Sequence, residues 1–302
     1  MTSPPPAWRA TGIYWHNNQP ALAAVDPRGS EHEKPLRLGD PLALQIAGPR
    51  RCIGIRQPTH RQACPFTAEV PAQATTAQCS ACAAADPGHR LARDQLTDDG
   101  RTYTLYLTWL GPGMVKVGLT AAVRGSGRLA EQGALTYTWL TRGPLPAIRA
   151  MEQAISGTGL AAERWHRRAK VHAWSHRTSP EDRQHALRAV YEQIASTVPW
   201  PDDLPQEPYR PADQAELFGF DQLPTRLGEA TELQENSVLA GTIRCLVGRE
   251  LVLDTDTEPV LLDTRLLTGW PLLPSTATTT ANIFLISLDL SRSDDADQTA
   301  LF

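Results

Sequence analysis

No stretch of about twenty consecutive apolar residues, the length a helix needs to cross a bilayer, occurs in the 302-residue chain. Met1 to Pro6 has neither the basic nor the apolar region of a secretory leader. Both absences point to a soluble, cytoplasmic protein with no membrane partner. A strong charge of either sign is missing too. The 29 Lys and Arg stand against 33 Asp and Glu, a formal −4 at pH 7, so composition alone carries no nucleic-acid signature. There is no Walker loop, no dinucleotide fingerprint and no nucleophile motif, which removes most nucleotide-dependent and covalent-catalysis classes.

Cysteine is scarce, at five, yet four of them are grouped. Cys52, Cys64, Cys79 and Cys82 follow the spacing C-x11-C-x14-C-x2-C through a segment poor in large apolar residues. Such a segment cannot bury a core of its own, and four thiolates around a structural Zn2+ would supply folding free energy directly. An intracellular setting disfavours disulfides. His60 or His89 is an alternative to one thiolate, whereas Cys245 lies in an apolar run and reads as a buried small hydrophobe.

Thr102 to Gln132 is the likeliest seat of chemistry. Tyr103, Leu105 and Leu107 alternate with Thr102, Thr104, Tyr106 and Thr108, a half-buried strand pattern broken at Gly111-Pro112-Gly113 and resumed from Met114 to Thr120. The simplest assembly is a β-hairpin. A short helix is expected from Arg128, a third strand at Tyr137 to Leu140, and a helix after Pro146 with Ile148, Met151 and Ile155 on one face and Glu152 at its edge.

This layout resembles the GIY-YIG nuclease domain, on Thr104-Leu105-Tyr106, Lys116-Val117-Gly118, Arg128 and Glu152. The resemblance implies that Tyr106 orients or deprotonates water, that Arg128 and Lys116 hold phosphoryl oxygens, and that Glu152 carries one Mg2+ or Mn2+. Tyr103 and Arg124 are the alternate Tyr and Arg. A second resemblance covers most of the chain. Arg51-Cys52-Ile53-Gly54, Lys116 to Thr120, Arg128-Leu129 with Gln132-Gly133-Ala134, Glu152, Gly241 to Gly248 and Leu266 to Trp270 together resemble the bacterial family called domain of unknown function 2797. That family implies an architecture and no activity.

Charge is uneven along the chain. From Arg124 to Arg177, eight Arg and one Lys face three Glu, and Arg164, Arg167, Arg168 and Lys170 are interleaved with Trp165 and Trp174. Clustered cations attract phosphate backbones and aromatic faces stack on bases, so this run is the expected nucleic-acid surface. Q-x-x-L-F occurs twice, at Gln214 to Phe218 and at Gln298 to Phe302, and resembles the peptide that docks on the sliding clamp. Gln298, Leu301 and Phe302 would be its anchors; in the internal copy Leu217 and Phe218 can equally pin the chain to its core.

The expected fold is α+β. It comprises an N-terminal β segment (1–50), the zinc loop (51–97), a GIY-YIG-like domain (98–198), a Pro-rich connector (199–230), a C-terminal β module (231–290) and a disordered tail (291–302). The two ends, each short of strands, are expected to pair into one flanking β module. The expected function is a DNA-directed, metal-dependent endonuclease, with RNA as an alternative substrate. The competing reading is a non-catalytic, zinc-containing nucleic-acid-binding or adaptor protein. It rests on the altered second tripeptide and on the missing Asn near Glu163-Arg164-Trp165.

Overall fold

The computed structural model describes residues 8–26, 30–57, 60–74, 76–92 and 98–291. In chain order the strands are β1 (Trp8–His16), β2 (Gln19–Val25), β3 (Glu31–Pro35), β4 (Pro41–Ile46), β5 (Ile55–Arg56) and β6 (Arg61–Gln62), followed by helices α1 (Ser80–Ala85) and α2 (Pro87–Ala92). Then come β7 (Thr102–Gly111), β8 (Met114–Ala121), α3 (Gly127–Glu131), β9 (Thr136–Pro144), α4 (Leu145–Gly157), α5 (Arg167–Ala173) and α6 (Pro180–Thr197). The chain continues with β10 (Ala212–Asp213), α7 (Ala215–Phe218), β11 (Arg226–Val247), β12 (Glu250–Asp254), β13 (Pro259–Asp263), β14 (Pro271–Pro274) and β15 (Ala281–Asp289). Among the described residues no helix is long and apolar enough to cross a membrane.

The two ends of the chain share one nine-stranded sheet in the order β12-β13-β11-β4-β14-β1-β2-β3, with β15 also on β11. β11 is its spine. Over 22 residues it pairs antiparallel with β15, β4 and β12 and parallel with β13. The β1–β2 hairpin turns on Asn17 and Asn18, both at positive φ, as the two-residue turn that matches strand twist requires. Asp26 to Gly39 is expected from its charge to be loop, but Glu31–Pro35 pairs with β2 and every residue of it is exposed. Charged side chains suit a sheet edge, where they discourage pairing with another chain.

The second sheet has the order β10-β9-β7-β8, and its central β7 is buried along nearly its whole length. α4 packs across β7, β8 and β9, burying Ile148, Met151 and Ile155, while α6 packs across β7 and β9. The sequence Ser179-Pro180-Glu181-Asp182 has the form of a helix start, and α6 begins there: Ser179 Oγ accepts from the Asp182 amide at 3.1 Å, with Pro180 at the first helical position. One apolar core runs through both sheets, from Ile13 and Trp15 to Leu105, Ile148 and Leu253.

The proline-rich stretch after α6 is closer to the body of the protein than its composition implies. It is expected to be an extended, unpacked connector, yet it lies along β9. The Glu207 amide donates to the Leu140 carbonyl at 2.7 Å, Thr141 Oγ1 to the Pro205 carbonyl at 2.9 Å, and Leu204 is buried. Proline donates no backbone hydrogen bond, so the contacts are made by the residues between prolines. The internal Q-x-x-L-F also belongs to the core. Phe218 is buried edge-on to Trp15 at 5.2 Å, and Gln214 is buried with its Nε2 donating to the Ala134 carbonyl.

Candidate nucleic-acid site and four-cysteine cluster

Alternation in β7 and β8 brings Tyr106 opposite Gly118, and a bulge between Leu105 and Tyr106 lies on the β9 side, where Tyr106 is opposite Trp139. The Tyr106 ring lies over Gly118: a Cβ there would come within 2.4 Å of Tyr106 Oη and 2.6 Å of Cζ. The ring is 1% exposed and cannot swing away. Gly118→Ala is therefore expected to lower stability by about 1–3 kcal/mol, the usual cost of overpacking, read as a lower urea midpoint. In a Tyr106→Leu background the same substitution should cost clearly less; equal costs in both backgrounds would show that the two positions do not contact each other.

The Tyr106 hydroxyl accepts from Gln132 Nε2 at 2.7 Å, and burial raises its pKa against the opposing field of Arg128. Gln132 follows α3, whose Arg128 reaches the buried Glu131 at 3.2 Å; Arg124 grips the other Glu131 oxygen at 2.5 Å. Neither Glu131 nor Gln132 carries a site role in the sequence motifs. The i, i+3 spacing of Arg128 and Glu131 was the available signal.

Lys116 leaves β8 beside the chain segment after α4. Its Nζ donates to the Glu163 carbonyl and, at 3.2 Å, to the Val117 carbonyl. Burial lowers its pKa to about 8, with Glu152 pulling the other way. Glu152 is buried and ion-paired with Arg149, one turn earlier on α4. Burial raises its carboxyl pKa, and the Arg149 guanidinium opposes this. Thus Arg128 and Glu152 each act electrostatically on both Tyr106 and Lys116. The alternate Tyr103 belongs elsewhere, in a network with Asp99 and Arg101.

The basic run divides in two. Arg167 is committed within the protein: Nε and Nη2 meet Glu250 at 2.9 and 2.7 Å, and Glu229 and Asp263 complete a four-charge cluster. Burial would lower the Arg167 pKa, but the carboxylates, Glu250 foremost, raise it. Lys170 Nζ donates to the Gln132 carbonyl at 2.9 Å. Arg164 and Arg168 are the exposed pair. Trp174 is buried, while Trp165 Nε1 donates to the Val115 carbonyl. Gln298, Leu301 and Phe302 lie outside the described residues.

The four cysteines meet in one cluster with no histidine in it: the Sγ atoms of Cys52, Cys64, Cys79 and Cys82 all lie within 4.8 Å of one another. Cys64 and Cys79 are 3.9 Å apart, against an edge of about 3.8 Å for a tetrahedron with metal–sulfur bonds near 2.3 Å. Cys52 Sγ also accepts from the amides of Gly54 at 3.4 Å and Cys79 at 3.3 Å, the environment of a coordinated thiolate. These residues can hold a metal ion. His60 is exposed, and neither His60 nor His89 joins the cluster. Cys245 is buried in β11, apart from the cluster.

What ties this loop to the large sheet is buried arginine. Arg50 Nε donates to the Thr268 carbonyl, and Nη1 collects the carbonyls of Pro71, Ala72 and Ala74 at 2.9–3.0 Å. Arg9 Nη1 reaches the Cys52 carbonyl, and Arg61 Nη2 donates to Tyr14 Oη at 2.9 Å.

The family model described as "Protein of unknown function (DUF2797)" matches residues 39–272, which takes in the cysteine cluster, the whole small sheet and, of the large one, β4, β11, β12, β13 and the start of β14. The chain belongs to the DUF2797 family. No curated protein and no solved structure matches it. The match begins just before β4 and ends inside β14 at Leu272, whose partner in β4 is Ile46, so β1, β2, β3 and β15 lie outside it.

Proposed function

We propose that this DUF2797 protein binds nucleic acid through the cationic end of its small sheet, on a GIY-YIG-like scaffold whose outer loop is stapled by Zn2+. One observation carries the reading: Arg124 and Arg128, which share the single carboxylate of Glu131, both act on the Tyr106 hydroxyl, Arg128 also acts on Lys116, and Glu152 is ion-paired with Arg149. Cations grouped in this way bind phosphate backbones, with an affinity that falls as salt rises. For the cluster, zinc is the metal that four thiolates in a tetrahedron favour.

The Mg2+ or Mn2+ that the nuclease resemblance implies does not fit these residues as they stand. The Glu152 carboxylate is buried and already paired with Arg149, so no step is derived through it. The endonuclease reading stays second, favoured by the action of both Arg128 and Glu152 on Tyr106 and Lys116.

A panel of labelled single-stranded, duplex and branched DNA and RNA in Mg2+ or Mn2+ separates the two. Binding without cutting is expected, and Arg128→Ala should weaken it and reduce the salt slope by about one. Affinity should also fall as pH rises through about 8, since Lys116 is charged below that value and neutral above it. Metal-dependent cutting lost in both Glu152→Gln and Arg128→Ala would establish the nuclease instead. Absence of binding to every member would reject both readings.

A further inference from the structure

The turn between β11 and β12 abuts the end of α3. Gly248, at φ +69°, lies so close to Gly133 that a Cβ on it would come within 2.6 Å of the Gly133 nitrogen. Trp15 Nε1 donates to the Gly248 carbonyl at 3.0 Å, and the Thr264 amide donates to the Arg249 carbonyl at 3.0 Å. Both sides of the Arg249 backbone are therefore fixed. One residue further on, Glu250 is held by Arg167.

The Arg249 side chain is the exception in this ordered corner. It is half-buried, and among the described residues it makes no hydrogen bond or ion pair. Its neighbours compensate it only in part. Arg128 and Arg265 repel it, while the two carboxylates in reach are already engaged: Glu131 by Arg124 and Arg128, Asp263 by Arg265 and Arg167. Burial and this surrounding charge lower its pKa. A guanidinium partly removed from water with no anion of its own costs free energy, and its nitrogens, which are not sealed off by the protein, remain open to an outside ligand.

The ligand's position follows from the hub at Gln132–Gly133. Gln132 touches the Tyr106 hydroxyl through its amide and Lys170 through its carbonyl, Arg128 is one turn earlier, and Gly133 faces Gly248. We propose that Arg249 is a phosphate ligand contributed by the large sheet, so that one phosphodiester of a bound nucleic acid is held between Arg128 of α3 and Arg249 of the β11–β12 turn. The planar guanidinium fork suits two phosphate oxygens at once. This inference rests on the nucleic-acid-binding reading. It adds that the site spans two sheets and is incomplete in the small sheet alone.

The test is fluorescence anisotropy with a labelled 12-nucleotide DNA, single-stranded and as duplex, across a salt series. It compares the full chain, Arg249→Gln, Arg249→Lys and the charge-matched control Arg226→Gln, whose side chain is 83% exposed at the start of β11. Arg249→Gln should weaken binding about 10- to 100-fold, the weight of a hydrogen bond to a charged group, and lower the salt slope by about one. Arg249→Lys should recover only part of the loss. Because Arg249 supports no other side chain, Arg249→Gln should melt at or above the temperature of the native chain; a lower melting temperature would make it a structural residue and overturn the proposal. An affinity equal to that of Arg226→Gln, with native binding intact, would overturn it while sparing the binding reading. Failure of the native chain to bind either DNA would overturn both.

Discussion

Stripping the metal from the four-cysteine cluster, or replacing Cys82 by Ser, is expected to unfold the segment from Arg50 to Asp86 while the small sheet stays folded. The segment's own apolar core is small: beside the cysteines it buries Ile55 and Val70. Two aliphatic side chains contribute about 1.5–3 kcal/mol each on burial. Ordering each backbone residue costs about 1–2 kcal/mol, so those two cannot hold a loop of this length. A four-thiolate zinc site, at about 10–16 kcal/mol of apparent binding free energy at neutral pH, can. Chelation should release one zinc per chain and open new protease cuts between β5 and α1, with far-ultraviolet signal from the rest retained. A chain that yields no zinc, or whose loop resists protease after chelation, would refute the staple. Arg50 sharpens the test, because its carbonyl partners Pro71, Ala72 and Ala74 lie in the loop that the four cysteines bracket.

Arg167→Leu should be among the most damaging single substitutions elsewhere in the chain. It leaves Glu250 and Glu229 without their shared cation, only Asp263 keeping one in Arg265, and breaking a buried ion cluster from one side costs about 3–5 kcal/mol. For a chain of this size that is a fall in melting temperature of about 2–4 °C per kcal/mol. The pH dependence identifies the cause. Burial already raises the Glu250 pKa above its ordinary value while Arg167 opposes this. Without Arg167 the pKa rises further. A carboxyl whose folded pKa exceeds its unfolded value takes up a proton on folding, so stability increases as pH falls through the folded pKa. The deficit of Arg167→Leu relative to the native chain should therefore shrink between pH 7 and pH 5. A deficit constant over that range would assign the loss to packing.

Much of the small sheet was legible because its strands alternate and its helices carry caps. Thr102 to Thr120 reads as a hairpin from period alone, and Ser179 announces α6. The cysteine cluster was legible from residue type and spacing. Other parts carry no local signal. The first half of β11, from Arg226 to Ser237, is rich in polar residues and is a strand because β15 and β13 flank it. Arg50 and Arg9 look like any surface arginine in sequence; their roles come from carbonyls brought in from 20 to more than 200 residues away. In sequence Arg167 and Lys170 have the look of phosphate contacts, because a basic run shows charge but not its partners. The acids that hold Arg167 are supplied by three strands at least 62 residues further on. For Tyr106, Lys116, Arg128 and Glu152 the motif indicated proximity, but the ion pair that occupies Glu152 needed three dimensions.

The shared large sheet also sets an order of assembly during synthesis. β1 needs β14, and β4 needs both β14 and β11, partners that leave the ribosome some two hundred or more residues later. The hairpin of β7 and β8, with β9 and α4, is complete long before then and can close on local contacts. Such long-range pairings are slow to form, and the waiting edges of β1 and β4 are exposed to other nascent chains in the meantime. A ribosome that stalls before Pro271 would therefore release a chain with a finished centre and two unmatched strand edges, a substrate for chaperones instead of a shortened protein.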